Sequence, residues 1–129
     1  MPAHNRVQLI GNLGKDPEAR FTANGKKYAA FSLAVNRSYK TADGKKQEAT
    51  DWFLVNAWGK LADICLNYLK KGRLVFIEGQ LRSERWEEKD GGETRSRTLV
   101  VARTMQILDR KPDEPEGAEV ETPVEDLAE

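Results

Sequence analysis

Asp51-Trp52-Phe53-Leu54-Val55-Asn56-Ala57-Trp58 runs directly into Gly59-Lys60-Leu61-Ala62-Asp63-Ile64-Cys65 and on to Gly72. The first eight residues alternate. Phe53, Val55 and Ala57 make one face, while Trp52, Leu54, Asn56 and Trp58 make the other, which predicts a strand with its first set turned to the core. At Gly59 the period changes. Leu61, Ile64, Cys65, Tyr68 and Leu69 follow the spacing of a helix that packs one stripe on a core. Lys70 and Lys71 fall at its predicted carboxyl end, where cations suit the dipole, and Gly72 is the predicted stop.

Upstream, Val7, Leu9 and Gly11 alternate with Arg6, Gln8 and Ile10 as a first strand. Asp16-Pro17-Glu18 turns the chain, and Asn24-Gly25 is a hairpin signal. Ala29, Phe31, Leu33 and Val35 share one parity within 28–36 and read as the core face of a second strand. Thr41 to Lys46 is a polar loop tip. Downstream, Leu74 to Ile77 reads as a short buried strand. Gly79 marks a bulge or bend before the pattern continues to Trp86. Asp90-Gly91-Gly92 tips a polar hairpin, and Thr94 to Leu108 returns as the last strand. The order is three strands, one helix and two strands. That predicts an all-β fold, a five-stranded Greek-key barrel of the OB type with its helix between strands three and four. Residues 1–111 form this domain.

The formal net charge of the 129 residues is zero, but the charges are segregated. Every one of the 21 Lys and Arg lies at or before Lys111, whereas 8 of the 21 acids lie in 112–129. The body is therefore +8 and the remainder −8. A basic body predicts a polyanionic partner, and an acidic segment of opposite charge predicts a weak internal competitor for the same surface. Residues 112–129 mix Pro, Gly and acids with almost no large apolar side chain, so they are predicted to be a disordered acidic tail. The single cysteine, Cys65, predicts a buried, inert thiol and a reducing compartment. Without an apolar secretory core or a membrane-length apolar run, the expectation is a soluble cytoplasmic, nucleoid-associated protein with no membrane contact.

Each tryptophan has a charged neighbour within two residues. Trp52 follows Asp51, Trp58 precedes Gly59-Lys60, and Trp86 lies between Arg85 and Glu87. Large rings interleaved with cations suit unpaired bases and the phosphates beside them. The predicted stacking residues are Trp52, Trp58 and Trp86, with Tyr39 between Ser38 and Lys40 as a fourth. Trp52 and Trp58 are about 20 Å apart along one strand, far enough to hold different nucleotides. Arg6, Lys40, Lys60, Lys71 and Arg85 are the predicted phosphate contacts. Stacking tolerates any base, so little sequence preference is expected.

Asn5-Arg6-Val7-Gln8-Leu9-Ile10-Gly11-Asn12-Leu13 with Asp16-Pro17-Glu18-Ala19-Arg20, the stretch from Trp52 to Leu61, and Tyr68-Leu69-Lys70-Lys71-Gly72 leading through Ile77-Glu78-Gly79 to Trp86 resemble the bacterial single-stranded DNA-binding protein family. The resemblance covers roughly residues 4–109 in order. It implies an OB-fold, commonly a homotetramer wrapped by the strand, and base stacking at four aromatic positions. By that resemblance Trp58 stands where phenylalanine is usual, Tyr39 where tryptophan is usual, and Phe53 where a histidine often helps the subunit contact. It further implies roles in DNA replication, recombination and repair. An acidic end would recruit replication and repair proteins, although here Val124-Glu125-Asp126-Leu127-Ala128-Glu129 lacks the usual apolar ending.

Other functions find little support in the residues. Gly11-Asn12-Leu13-Gly14-Lys15 is too short for a phosphate loop, and Asp16 replaces the required Ser or Thr. His4 is the one histidine, so neither a metal nor a cofactor site is predicted, and no catalysis. A magnesium-dependent nuclease would need a clustered acidic motif. The alternative is a primosome-type accessory OB protein that acts mainly as a protein-interaction module.

Overall fold

In a computed structural model, residues 3–87, 92–109 and 120–121 are described. The elements are β1 (Val7–Leu13), β2 (Glu18–Phe21), β3 (Lys27–Lys40), β4 (Lys46–Trp58), α1 (Gly59–Tyr68), β5 (Leu74–Glu87), β6 (Thr94–Ile107) and β7 (Val120–Glu121). The expected Asp90-Gly91 tip falls outside the described residues. So does the expected tail, apart from Val120–Glu121, whose backbone pairs with Thr104 and Met105 of β6.

Five strands close the barrel. β1 pairs antiparallel with β5, β5 with β6, and β4 with β3, which returns to β1 at Asn12–Ala34 and Leu13–Leu33. The remaining seam is parallel, with Val55, Asn56 and Ala57 of β4 beside Val100, Val101 and Ala102 of β6. The helix lies between the third and fourth barrel strands, as the change of period at Gly59 predicts. β2 is a short addition on the edge of β3, set by the turn in which Thr22 donates its backbone N–H to Lys26.

The barrel interior is filled by one parity of each strand, which on β6 changes at the bulge from Val100 and Ala102 to Met105 and Ile107. Phe31, Leu33, Val55, Val75, Ile77, Val100, Ala102, Met105 and Ile107 join Leu61, Ala62 and Cys65 from α1. Burying each Leu, Ile or Val contributes about 1.5–3 kcal/mol, which is what holds so small a barrel closed. Between Glu78 and Gly79 the β5–β6 register shifts by one residue, the predicted bulge. A Cβ at Gly79 would stand 2.0 Å from the carbonyl oxygen of Val101, so the two backbones meet there only because the side chain is absent.

Two helix expectations need correction. α1 ends at Tyr68, where Leu69 donates its N–H to Cys65, so Lys70 and Lys71 lie past the last turn and no base sits within it. Tyr68 is exposed, while Leu61, Ala62, Cys65 and the C-cap Leu69 are buried in the core with Ile64 packed against them. Cys65 is fully buried, and burial pushes its thiol up to about 12.

Candidate nucleic-acid interface

The two long hairpins continue past the closed barrel. In β3–β4 the ladder runs on to Tyr39–Gln47 and Lys40–Lys46. In β5–β6 it runs on to Glu84–Arg97 and Trp86–Arg95. Directly opposed residues of an antiparallel pair share a face. The outer face of the barrel therefore carries Trp52, Leu54, Asn56 and Trp58 from β4 and Tyr28 from β3. Leu99 and Val101 from β6 join them, and Arg82, Glu84 and Trp86 follow on β5, whose even-numbered residues face outward on both sides of the bulge because the extra residue, Arg103, lies on β6. All three tryptophans lie on this one face.

Two of them are open. Trp52 is 60% exposed and Trp86 is 42% exposed. The ring of Trp52 rests on Gly14, at the end of β1, where there is no side chain to lift it. The Arg97 guanidinium stands 5.6 Å from the Trp86 ring centroid and is held at 2.9 Å by Glu84, its partner across the ladder. Arg85, on the other parity of β5, still lines a hollow of about 470 Å³ with Glu84, Trp86 and Arg97.

Trp58 departs from the sequence reading, which took it for a bare ring. It is 3% exposed. Tyr28, directly opposite in register, stacks on it with ring centroids 4.4 Å apart and planes 28° apart. Leu99 and Val101 pack beside it in a second, smaller apolar cluster, and the Lys26 ammonium lies 5.3 Å from its centroid. Parity places Trp58 on the outer face correctly, but the outer face is covered at that point.

Tyr39 is exposed, with Arg37 5.5 Å from its centroid, and Arg37 is held in turn by Asp51 at 2.9 Å. Its parity is that of Phe31, Leu33 and Val35, so in register it projects from the opposite side of the ribbon to Trp52. Lys40 shares the side of Trp52 and is exposed. The other expected cations are scattered. The Arg6 guanidinium is engaged by Glu78 near the start of β1. There the Gln8 amide and then Arg6 hold the Glu78 carboxyl below its usual range. Lys60 is exposed in the first turn of α1. Lys71 is exposed beyond the helix, its backbone N–H bonded to Asp16 at 2.8 Å.

The structure adds residues that sequence reasoning missed. Tyr28, Asn56 and Arg82, with the predicted Trp58, line a cavity of about 340 Å³ on the same outer face. Arg97 and Tyr28 could have been found from the hairpin registers, since each lies opposite a site residue or its neighbour. Among the described residues there is no group of three or more His, Cys, Asp or Glu able to hold a metal, and no helix long and apolar enough to cross a membrane.

A closed five-stranded barrel, one helix, and two open indoles on a single outer face, one of them beside an arginine, define an OB-fold binding protein. Residues 4–108 match the model of the single-strand binding protein family. The chain belongs to that family. It is 48% identical over 107 residues to single-stranded DNA-binding protein 1 of Chlorobaculum tepidum, covering 83% of this chain and 66% of that one. The like-named protein of Synechocystis is 38% identical over 113 residues, covering 88% and 90%. Among solved structures, the Plasmodium falciparum SSB complex with ssDNA superposes with a TM-score of 0.76 at 27% identity, covering 84% of this chain and 98% of that one. A deletion mutant of the Thermus aquaticus single-stranded DNA binding protein gives 0.71 at 32% identity, covering 82% and 51%.

Proposed function

We propose that this chain binds and protects single-stranded DNA, without catalysis, by stacking unpaired bases on Trp52 and Trp86 while cations take up the phosphates. The carrying observation is that both indoles are open on the same outer face, with Arg82 on that face and Arg97 beside Trp86. Each stacked base contributes about 1–3 kcal/mol and tolerates any sequence. Tyr39 and Lys40 extend the track at the end of the β3–β4 hairpin, so the strand passes over the edge of that ribbon to reach both. Lys60, Lys71, Arg85 and Arg6 supply more diffuse positive potential.

The same reading makes the protein a homo-oligomer, a tetramer by family resemblance, acting in the cytoplasm during replication, recombination and repair. Residues 112–129 carry the negative charge that would compete with the strand or engage partner proteins. Family membership and the named relatives support this assignment.

The test is titration with dT oligomers of increasing length, read by tryptophan fluorescence with mass measured in solution. Strong quenching that weakens with salt is expected, and the Trp52→Ala, Trp86→Ala double variant should lose most of the affinity. Unchanged affinity in the double variant overturns the stacking model.

A further inference from the structure

The cavity lined by Tyr28, Asn56, Trp58 and Arg82 has walls that stacking on Trp52 and Trp86 does not use. Asn56 and Trp58 stand two residues apart on the outer face of β4, 6% and 3% exposed. The Asn56 Oδ1 and the Trp58 Nε1 are both buried, and neither has a hydrogen-bond partner among the described residues. Folded proteins pair nearly all such atoms, so an unpartnered acceptor and an unpartnered donor on two residues that line one cavity point to a ligand whose entry uncovers them. Packing alone explains neither. A phenyl ring would stack on Tyr28 without the N–H, and an aliphatic side chain would fill the place of Asn56 without the carboxamide.

We propose that this cavity takes one nucleobase of the bound strand edge-on and reads it through the Trp58 Nε1–H and the Asn56 Oδ1. The inference rests on the single-strand-binding reading above. Every base presents an acceptor and a donor side by side on the edge freed by unpairing, but in a different order and place for each base, so two fixed protein groups fit one base better than another. The cavity, about 340 Å³, lies at the small end of the range of ligand pockets, about 300–1,000 Å³. Leu99 and Val101 give it an apolar wall, and Arg82 lines it as a cation for the adjoining phosphate. The two polar atoms are closed off in the free protein, so the base enters as the Tyr28–Trp58 stack loosens. A strand otherwise held without regard to sequence thus meets one discriminating position per subunit.

The experiment compares Trp58→Phe, which keeps a ring and removes the N–H, and Asn56→Leu, which keeps bulk and removes the acceptor, with the unaltered protein. Binding to end-labelled dT, dC and dA oligomers of one length is measured by fluorescence anisotropy, with melting curves to establish folding. The quantity read is the ratio of variant to unaltered affinity for each base, in which the strand's own stacking cancels. That ratio is expected to differ between the best-read and worst-read base by about three- to tenfold, the loss of one buried hydrogen bond. A ratio equal for all three bases, in whichever variant folds, overturns the proposal while leaving single-strand binding intact. Failure of the unaltered protein to bind any oligomer overturns the underlying reading instead.

Discussion

The six-membered ring of Trp52 rests on Gly14: a Cβ added to that glycine would stand 2.5 Å from Cζ3 and 2.9 Å from Cη2. The contact joins the end of β1 to the middle of β4 and fixes which side of the indole is offered to a ligand. Because Trp52 is largely exposed, it can move aside without disturbing the core. Gly14→Ala should therefore leave the melting temperature nearly unchanged yet weaken oligo-dT binding. The loss is bounded by that of Trp52→Ala, itself about 1–3 kcal/mol for one stacked base. Quenching titrations and thermal melts on both variants check this, and equal affinity for Gly14→Ala and the unaltered protein would show that the seat is irrelevant.

Gly79 gives the opposite case. The atom that a Cβ would meet, at 2.0 Å, is the Val101 backbone oxygen, which cannot rotate away. Gly79→Ala must push β5 from β6 where the ladder shifts register, or displace the bulge itself. The expected cost is about 1–3 kcal/mol, typical of overpacking in a dense interior. Denaturant unfolding would show it as a lower midpoint with an unchanged slope.

Trp86 and Arg97 separate the two contributions to strand affinity. Trp86→Ala removes a π-face and should lower affinity without altering its dependence on salt. Arg97→Ala should reduce the slope of log affinity against log salt by about 0.7, the value for one phosphate contact on a single strand. It should also weaken stacking somewhat, because Glu84 and Arg97 together brace the Trp86 ring. Titrations at several salt concentrations distinguish the two variants.

Much of this was legible in the chain. The alternation from Asp51 to Trp58, the change of period at Gly59 and the glycine at 79 lead to the barrel, its helix and its bulge, because each expresses a constraint local to one element. Parity alone also places Trp52, Trp58 and Trp86 on the outer face. What parity cannot give is what lies over a face. Trp58 is covered because Tyr28 is its ladder partner and Leu99 and Val101 cross beside it, and both facts depend on registers between distant segments. The same limit hid the cavity at Asn56. The end of α1 was misread for a different reason. Gly72 marks where the chain can turn, but the backbone leaves the helix earlier, at Leu69, which is already extended with φ −91° and ψ 144°.

Cys65 offers a chemical report on the core. Its thiol is fully buried, and burial raises it to about 12 from an ordinary value near 9. The thiol is neutral on both sides of unfolding below pH 9, so its share of stability is fully present there. Above that pH the unfolded chain ionises first, and the share is lost as pH rises towards 12. The folded protein should thus lose stability progressively across that window, and Cys65→Ala should flatten this part of the decline. At pH 8 a thiol reagent should label Cys65 only as fast as the barrel opens, with the rate rising in denaturant alongside the loss of structure. Rapid labelling of the folded protein in water would mean that α1 does not seal the barrel.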